Sequence, residues 1–378
     1  MSSTARRPLS FGPWLFGARV DLALFAGSAV LALALVALGH ATGISDAPFP
    51  EWGWIAFILA VDVAHVHATW FRTYFDGDEL RRHPLRYALI PLAAWAAGVT
   101  LYGFGPMLFW RVLAYLALFH FVRQQVGWVA VYRARAGQRN VVDRLIDDAC
   151  IYAATGYPVL VWHARLDETR FAWFVRGDFV DISAIAARAL PFARAAWLFA
   201  LVLFAARQLQ RFRRERVVMA GKLCVVVATA AAWYVGIVAT NSDFDFTVTN
   251  VIVHGVPYFG LLWAYGLERK REQPRAFGAR VVAGGVGAFV VVVFGLALAE
   301  EFLWDRLVWQ ERAWLFGEGP ALPASVLAFV VPLLAVPQAT HYVLDGLLWR
   351  RRATRERPAQ RRALGFGSGG EMLAAKSA

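Results

Sequence analysis

"MLFWRVLAYLALFHFVRQQVGWVAVYRA", residues 107–134, reads as a helix long enough to cross hydrocarbon, yet His120, Arg123, Gln124 and Gln125 interrupt it within two turns. Lipid penalises each of these groups. The stretch is tolerable only if its polar face turns into the interior of a helical bundle, so it sets the fold class: all-α, a polytopic membrane bundle.

The rest of the chain agrees. Of 378 residues, 59% are hydrophobic, and long apolar runs alternate with short polar clusters. Spans are expected at about 20–40, 53–72, 85–106, 109–131, 146–163, 185–206, 217–239, 247–267, 280–303 and 324–349, each near the ~20 residues a crossing needs. The run Val20–Leu38 is too long for a signal-peptide core and counts as the first span. One transmembrane domain, 20–350, thus lies between an N-terminal segment, 1–19, and a basic tail, 351–378, whose small and polar end reads as disordered.

The loops orient the bundle. "RTYFDGDELRRHPLR", "RARAGQRNVVDR", "RQLQRFRRER" and "ERKREQPRAFGAR" follow spans two, four, six and eight. The loops after spans one, five, seven and nine are poor in basic residues or mixed. The positive-inside rule then places both termini in the cytoplasm, with a bacterial inner membrane as the expected location and the bilayer as the first partner. The net charge of +12, from 39 Lys+Arg against 27 Asp+Glu, belongs to these loops and not to a nucleic-acid surface. Two isolated cysteines give neither a disulfide framework nor a thiolate metal site. No P-loop or GxSxG motif is present.

The chemistry concentrates in five histidines within the expected spans: His65, His67, His120, His254 and His341. At 1.5 Å rise per residue they occupy a slab about 12 Å thick, supplied by four different helices. Each helix adds a polar residue three or four positions away, on the same face: Asp62 with His65, Gln124 with His120, Asn250 with His254, Asp345 with His341. Imidazoles with carboxylates at hand suit a transition metal. Iron, as one or two ions, is the expected cofactor, with zinc, manganese and copper left open. His65 and His67 lie about 200° apart on a regular helix, so His65 is expected to face the core, leaving His67 as a second ligand, a ligand of a second site or a hydrogen-bond partner. Arg123 is expected to neutralise Asp62, Asp345 or an anionic substrate group. Gln124, Asn250, Tyr258 and Tyr342 join it as candidate catalytic residues, and Tyr74 is a further candidate donor.

The motifs DxxHxH, HFVRQQ, HGxPY and HYxxDG, on many spans, resemble in kind the membrane-embedded histidine-rich non-haem iron enzymes, in particular the Brp/Blh type of β-carotene dioxygenase. The HxxxH and HxxHH boxes of desaturases and alkane hydroxylases are absent. The resemblance implies iron held by histidines of several spans, acting with O₂ on a lipid-soluble small molecule, with an electron donor as an optional partner. Two other classes remain open: a proton- or ion-coupled transporter using the same His, Asp and Arg residues as a relay, and a haem-b electron carrier using paired axial histidines.

Overall fold

The computed structural model describes residues 9–349 and 357–366. They are almost entirely helical: α1 (Ala18–Thr42), α2 (Glu51–Phe71), α3 (Gly77–Arg82), α4 (Pro84–Phe104), α5 (Pro106–Arg135), α6 (Val141–Ala164), α7 (Ser183–Glu215), α8 (Ala220–Ala239), α9 (Asp243–Glu272), α10 (Phe277–Ala283), α11 (Val286–Trp309), α12 (Ala313–Phe316), α13 (Ala324–Leu348) and α14 (Pro358–Ala363). A two-residue parallel pair, Ser10–Phe11 with Val217–Val218, is the sole sheet among the described residues. Local chemistry starts these helices where it should. Asp76 caps α3 through the amides of Asp78 and Glu79, Asn140 caps α6 through the amide of Val142, and proline opens α4 and α5.

Eight of these helices are long and apolar enough to cross a membrane: α1, α2, α4, α7, α8, α9, α11 and α13. Ten spans were expected. The other two positions are helical, as α5 and α6, but fall outside that class. The polar cluster around His120 interrupts α5, and Asp143, Arg144, Asp147 and Asp148 crowd the first turns of α6. Many apolar side chains of the long helices point outward; Phe192, Phe199 and Val202 of α7 are each more than 60% exposed. Lipid tolerates such a surface, whereas water seldom does.

The chain forms two compact units. The first comprises residues 1–48, 121–171 and 181–254. Here Asp21 is fully buried and accepts from the amides of Leu15 and Phe16 and from the Tyr132 hydroxyl, all within 2.8 Å. Lys222 of α8, also buried, contacts both carboxylate oxygens of Asp147 on α6 at 2.9 and 3.0 Å. These partners offset the burial of charge: Asp21 is met by three neutral donors and Asp147 by the Lys222 cation.

The second unit comprises residues 49–120, 172–180 and 255–378. Its aromatic core joins Phe109 and Trp110 of α5 to Trp304 of α11 and to Val331 and Leu334 of α13. Gly255 lets α9 lie against α2: a Cβ there would stand 2.7 Å from Val61 Cγ1. Helix α2 is irregular, π-helical over Trp54–Val63, α-helical over Ala64–Ala68 and 3₁₀ over Thr69–Phe71. Mixed winding of this kind is often found at functional sites. Beyond α2, Arg72 donates to Glu79 at 2.7 Å and to the Gln360 side chain at 2.7 and 3.1 Å. Gln360 in turn donates to the Leu348 carbonyl, so the basic part of the tail includes a docked helix, α14, while residues 367–378, expected to be disordered, lie outside the described residues.

Burial alone would raise the Glu79 carboxyl, but the guanidiniums of Arg72 and Arg357 and the Tyr87 hydroxyl outweigh it and hold it below the usual carboxylate range. Glu79 therefore ionises at lower pH in the folded chain than in the unfolded one. Its stabilisation is complete above the unfolded value of about 4.3 and is lost as pH falls through the folded value. Glu79→Gln should cost about 3 kcal/mol near neutral pH, because Arg72 is left buried without its counter-charge. Thermal unfolding of the detergent-purified protein between pH 7 and pH 3 should show a shallower acid loss for the variant than for the wild type.

Candidate metal centre

Four helices each bring one histidine to a common point. His65 of α2, His120 of α5, His254 of α9 and His341 of α13 are all buried, and each offers one ring nitrogen within 4.8 Å of the others. His254 is held flat against Phe121, with ring centroids 3.6 Å apart and planes 5° from parallel.

The spacing suits metal ligation. His120 Nε2 and His341 Nε2 stand 3.1 Å apart. Two nitrogens at about 2.0–2.1 Å from one ion are ~2.9 Å apart at a right angle and ~3.3 Å apart at the tetrahedral angle. The observed separation falls between them. The ring of His65 lies 5.0 Å from that of His341, nearly perpendicular to it.

The remaining polar contacts fix the tautomer of His341. Asp345 Oδ1 accepts from the Tyr258 hydroxyl at 2.5 Å and from Trp349 Nε1 at 3.3 Å. With its proton committed to the carboxylate, the Tyr258 oxygen accepts from the Thr69 hydroxyl at 3.0 Å. The Thr69 oxygen must then accept from His341 Nδ1, 2.7 Å away. A proton on Nδ1 leaves the Nε2 lone pair facing the other imidazoles, as ligation requires. The carboxylate at one end thus decides which nitrogen is a ligand at the other.

The expected site residues separate accordingly. No carboxylate belongs to the four-histidine group. Asp345 lies 3.9 Å from His341 Nδ1 and serves as terminal acceptor of the chain, and Asp62 lies 3.7 Å from His65 Nδ1. His67, on the opposite side of α2, places Nε2 2.8 Å from Glu300 Oε2 of α11 and stands outside the group. The Tyr342 ring packs 4.9 Å from that of His120, and Tyr258 takes part through Thr69. Arg123 is exposed and donates to the Tyr152 hydroxyl at 2.6 Å, so its charge is directed there and not to Asp62 or Asp345. Asn250 spends its amide on the Phe246 carbonyl at 2.9 Å, and the Gln124 amide is buried without a hydrogen-bond partner. Tyr74 donates to the Tyr87 carbonyl.

Sequence reasoning missed Thr69, Glu300 and Trp349. Thr69 and Trp349 each stand four residues after a named site residue, His65 and Asp345, so the same-face rule could have found them. Glu300 falls inside the expected span 280–303, but its partner His67 comes from another helix, which spacing along one helix does not reveal.

Thr69→Val keeps the shape of the side chain but cuts the chain between His341 and Tyr258. It should weaken metal binding by about 10–100-fold, the usual consequence of losing a ligand-orienting group, while Thr69→Ser should restore it. Titration of metal-stripped protein with Fe²⁺ or Zn²⁺ checks this. Comparison with known proteins returns no match to the chain, whether to a family model, a curated protein or a solved structure.

Proposed function

We propose that the protein is an integral-membrane metalloenzyme, a non-haem iron oxidoreductase that acts with O₂ on a lipid-soluble substrate. The observation that carries this reading is the convergence of four buried imidazoles within 4.8 Å, with the ligand nitrogen of His341 selected by a chain ending at Asp345. A purely structural histidine in lipid needs one partner, not three others of its kind. An all-nitrogen donor set without thiolate suits iron, with zinc, manganese and copper as alternatives that the donor set also accepts.

Iron bound here would supply the redox chemistry toward O₂. The protein's own contribution is to exclude bulk water from His65, His120, His254 and His341, to hold their nitrogens toward one point, and to keep the His341 proton on Nδ1. His67 and Glu300 meet on the opposite side of α2, 2.8 Å apart and outside the ligand group. A haem-b carrier fits less well. A porphyrin separates its two axial imidazoles, and four mutually close nitrogens leave no slot for the ring.

The basic loops support a bundle in the cytoplasmic membrane with both termini inside. Reporter fusions at Asp178 and Asp243 should read as exported, and those at Gln138 and Gln210 as cytoplasmic.

His120→Ala and His341→Ala should each remove bound metal while the protein still inserts and purifies as a helical bundle. Elemental analysis and circular dichroism of the detergent-purified variants check the two halves of that statement. In cells, the wild type should oxidise a component of the lipid extract under air and not under nitrogen, and neither variant should. Wild-type protein purified from metal-replete cells without a stoichiometric transition metal would turn the reading to a transport relay.

A further inference from the structure

Three tryptophans of the second unit, Trp110 of α5 with Trp304 and Trp309 of α11, pack on one another. Ring centroids are 5.5 Å apart for Trp304 with Trp309, 5.5 Å for Trp110 with Trp309 and 6.0 Å for Trp110 with Trp304. The planes of Trp304 and Trp309 lie 15° from parallel. Trp110 and Trp304 are buried, whereas Trp309, at the end of α11, is half-buried and gives the stack an accessible edge.

Packing alone accounts for large rings in an apolar core. It does not account for what the stack touches. Trp304 donates its indole N–H to Glu300 Oε1 at 3.3 Å, one turn earlier on α11. Glu300 is itself buried, and its second oxygen lies 2.8 Å from His67 Nε2. A carboxylate and an imidazole together inside a span are costly, and such groups mark proton relays in membrane proteins.

The stack reaches the histidine group by two routes. By polar contacts, Trp304 leads to Glu300 and then to His67, which follows His65 by two residues on α2. By rings, Tyr342 packs against the aromatic core that holds Trp110 and Trp304, and its centroid lies 4.9 Å from that of His120. Indole and phenol rings give up single electrons far more readily than aliphatic side chains. Electron transfer falls steeply with distance, so rings in contact conduct where aliphatic packing insulates.

We propose that Trp304, with Trp309 and Trp110 behind it, is a redox-active relay. It carries single electrons from a one-electron donor at the Trp309 edge to a one-electron acceptor held at the histidine group. This deepens the reading of the site as an oxidoreductase and rests on it. The acceptor takes one electron from the Trp304 ring, and the indole proton passes to the Glu300 carboxylate, leaving a neutral tryptophan radical. One electron from the donor, through Trp309, and return of the proton from Glu300 regenerate the indole. The donor is oxidised by one electron and the acceptor reduced by one, with no net gain or loss of protons. A buried indole has no bulk water to take its proton, so the step needs that carboxylate.

The test uses detergent-purified full-length protein loaded with Fe²⁺ and mixed with O₂ or hydrogen peroxide, without substrate or donor. Radicals are read by stopped-flow absorption and by electron paramagnetic resonance of freeze-quenched samples, with ring-deuterated tryptophan to identify the signal. Wild-type protein should give a neutral tryptophan radical, and metal-stripped protein should give none. Trp304→Phe should abolish it. Glu300→Gln, which cannot take the proton, should yield the radical cation instead, with its distinct absorption spectrum; a merely structural Glu300 would leave the neutral radical in place. Trp309→Phe should slow the quenching of the radical by added ascorbate. A radical that survives Trp304→Phe or forms without metal, or a neutral one that survives Glu300→Gln, would overturn the proposal. Metal content, measured separately, keeps the two readings apart. Iron bound without a tryptophan radical sinks the relay alone, and protein that takes up no metal sinks the enzyme reading and the relay with it.

Discussion

The one-way hydrogen-bond chain from His341 through Thr69 and Tyr258 to Asp345 is the interaction on which the site depends. A carboxylate can only accept, so every proton along the chain points toward it. That polarity leaves the His341 lone pair on the nitrogen facing His120. The chain ties α2, α9 and α13 together at one level, since Thr69, Tyr258 and Asp345 each sit on a different one of these helices. At a buried site without water to compensate, losing one link would strand the next.

Helix irregularity and small residues make that convergence sterically attainable. The winding of α2 changes three times between Glu51 and Phe71, and His65 emerges toward the other imidazoles while His67 emerges toward Glu300. Gly255 removes the side chain that would hold α9 away from Val61. Phe121 presses flat on His254 and leaves it little rotational freedom. Residues that look like ordinary lipid-soluble filler thus set the orientation of the polar ones.

Charge follows the same logic at the ends of the helices. Arg72 and Glu79 are both buried, and their partners Gln360, Tyr87 and Arg357 fill the remaining valences. Such a network joins α3 and α14 within the second unit. Breaking it at one member is expensive, because the desolvation of its partner is no longer offset.

The sequence by itself determined the helical class, the positions of the long helices and the identity of the four histidines. These properties are local or one-dimensional: apolar run length, residue type, and depth along a helix of constant rise. His65, His120, His254 and His341 were recognisable because lipid makes a buried imidazole costly wherever it occurs. What only the tertiary structure decided was direction. Gln124 and Asn250 share their helix faces with His120 and His254, yet Asn250 turns to a backbone carbonyl; Arg123 turns to Tyr152; and Asp345 acts on His341 only through two other side chains. Spacing along one helix says which residues share a face, and it cannot say what the neighbouring helix places opposite. Thr69 and Glu300 acquire their roles from that opposite face, through contacts with His341 and His67, hundreds of positions away in the chain.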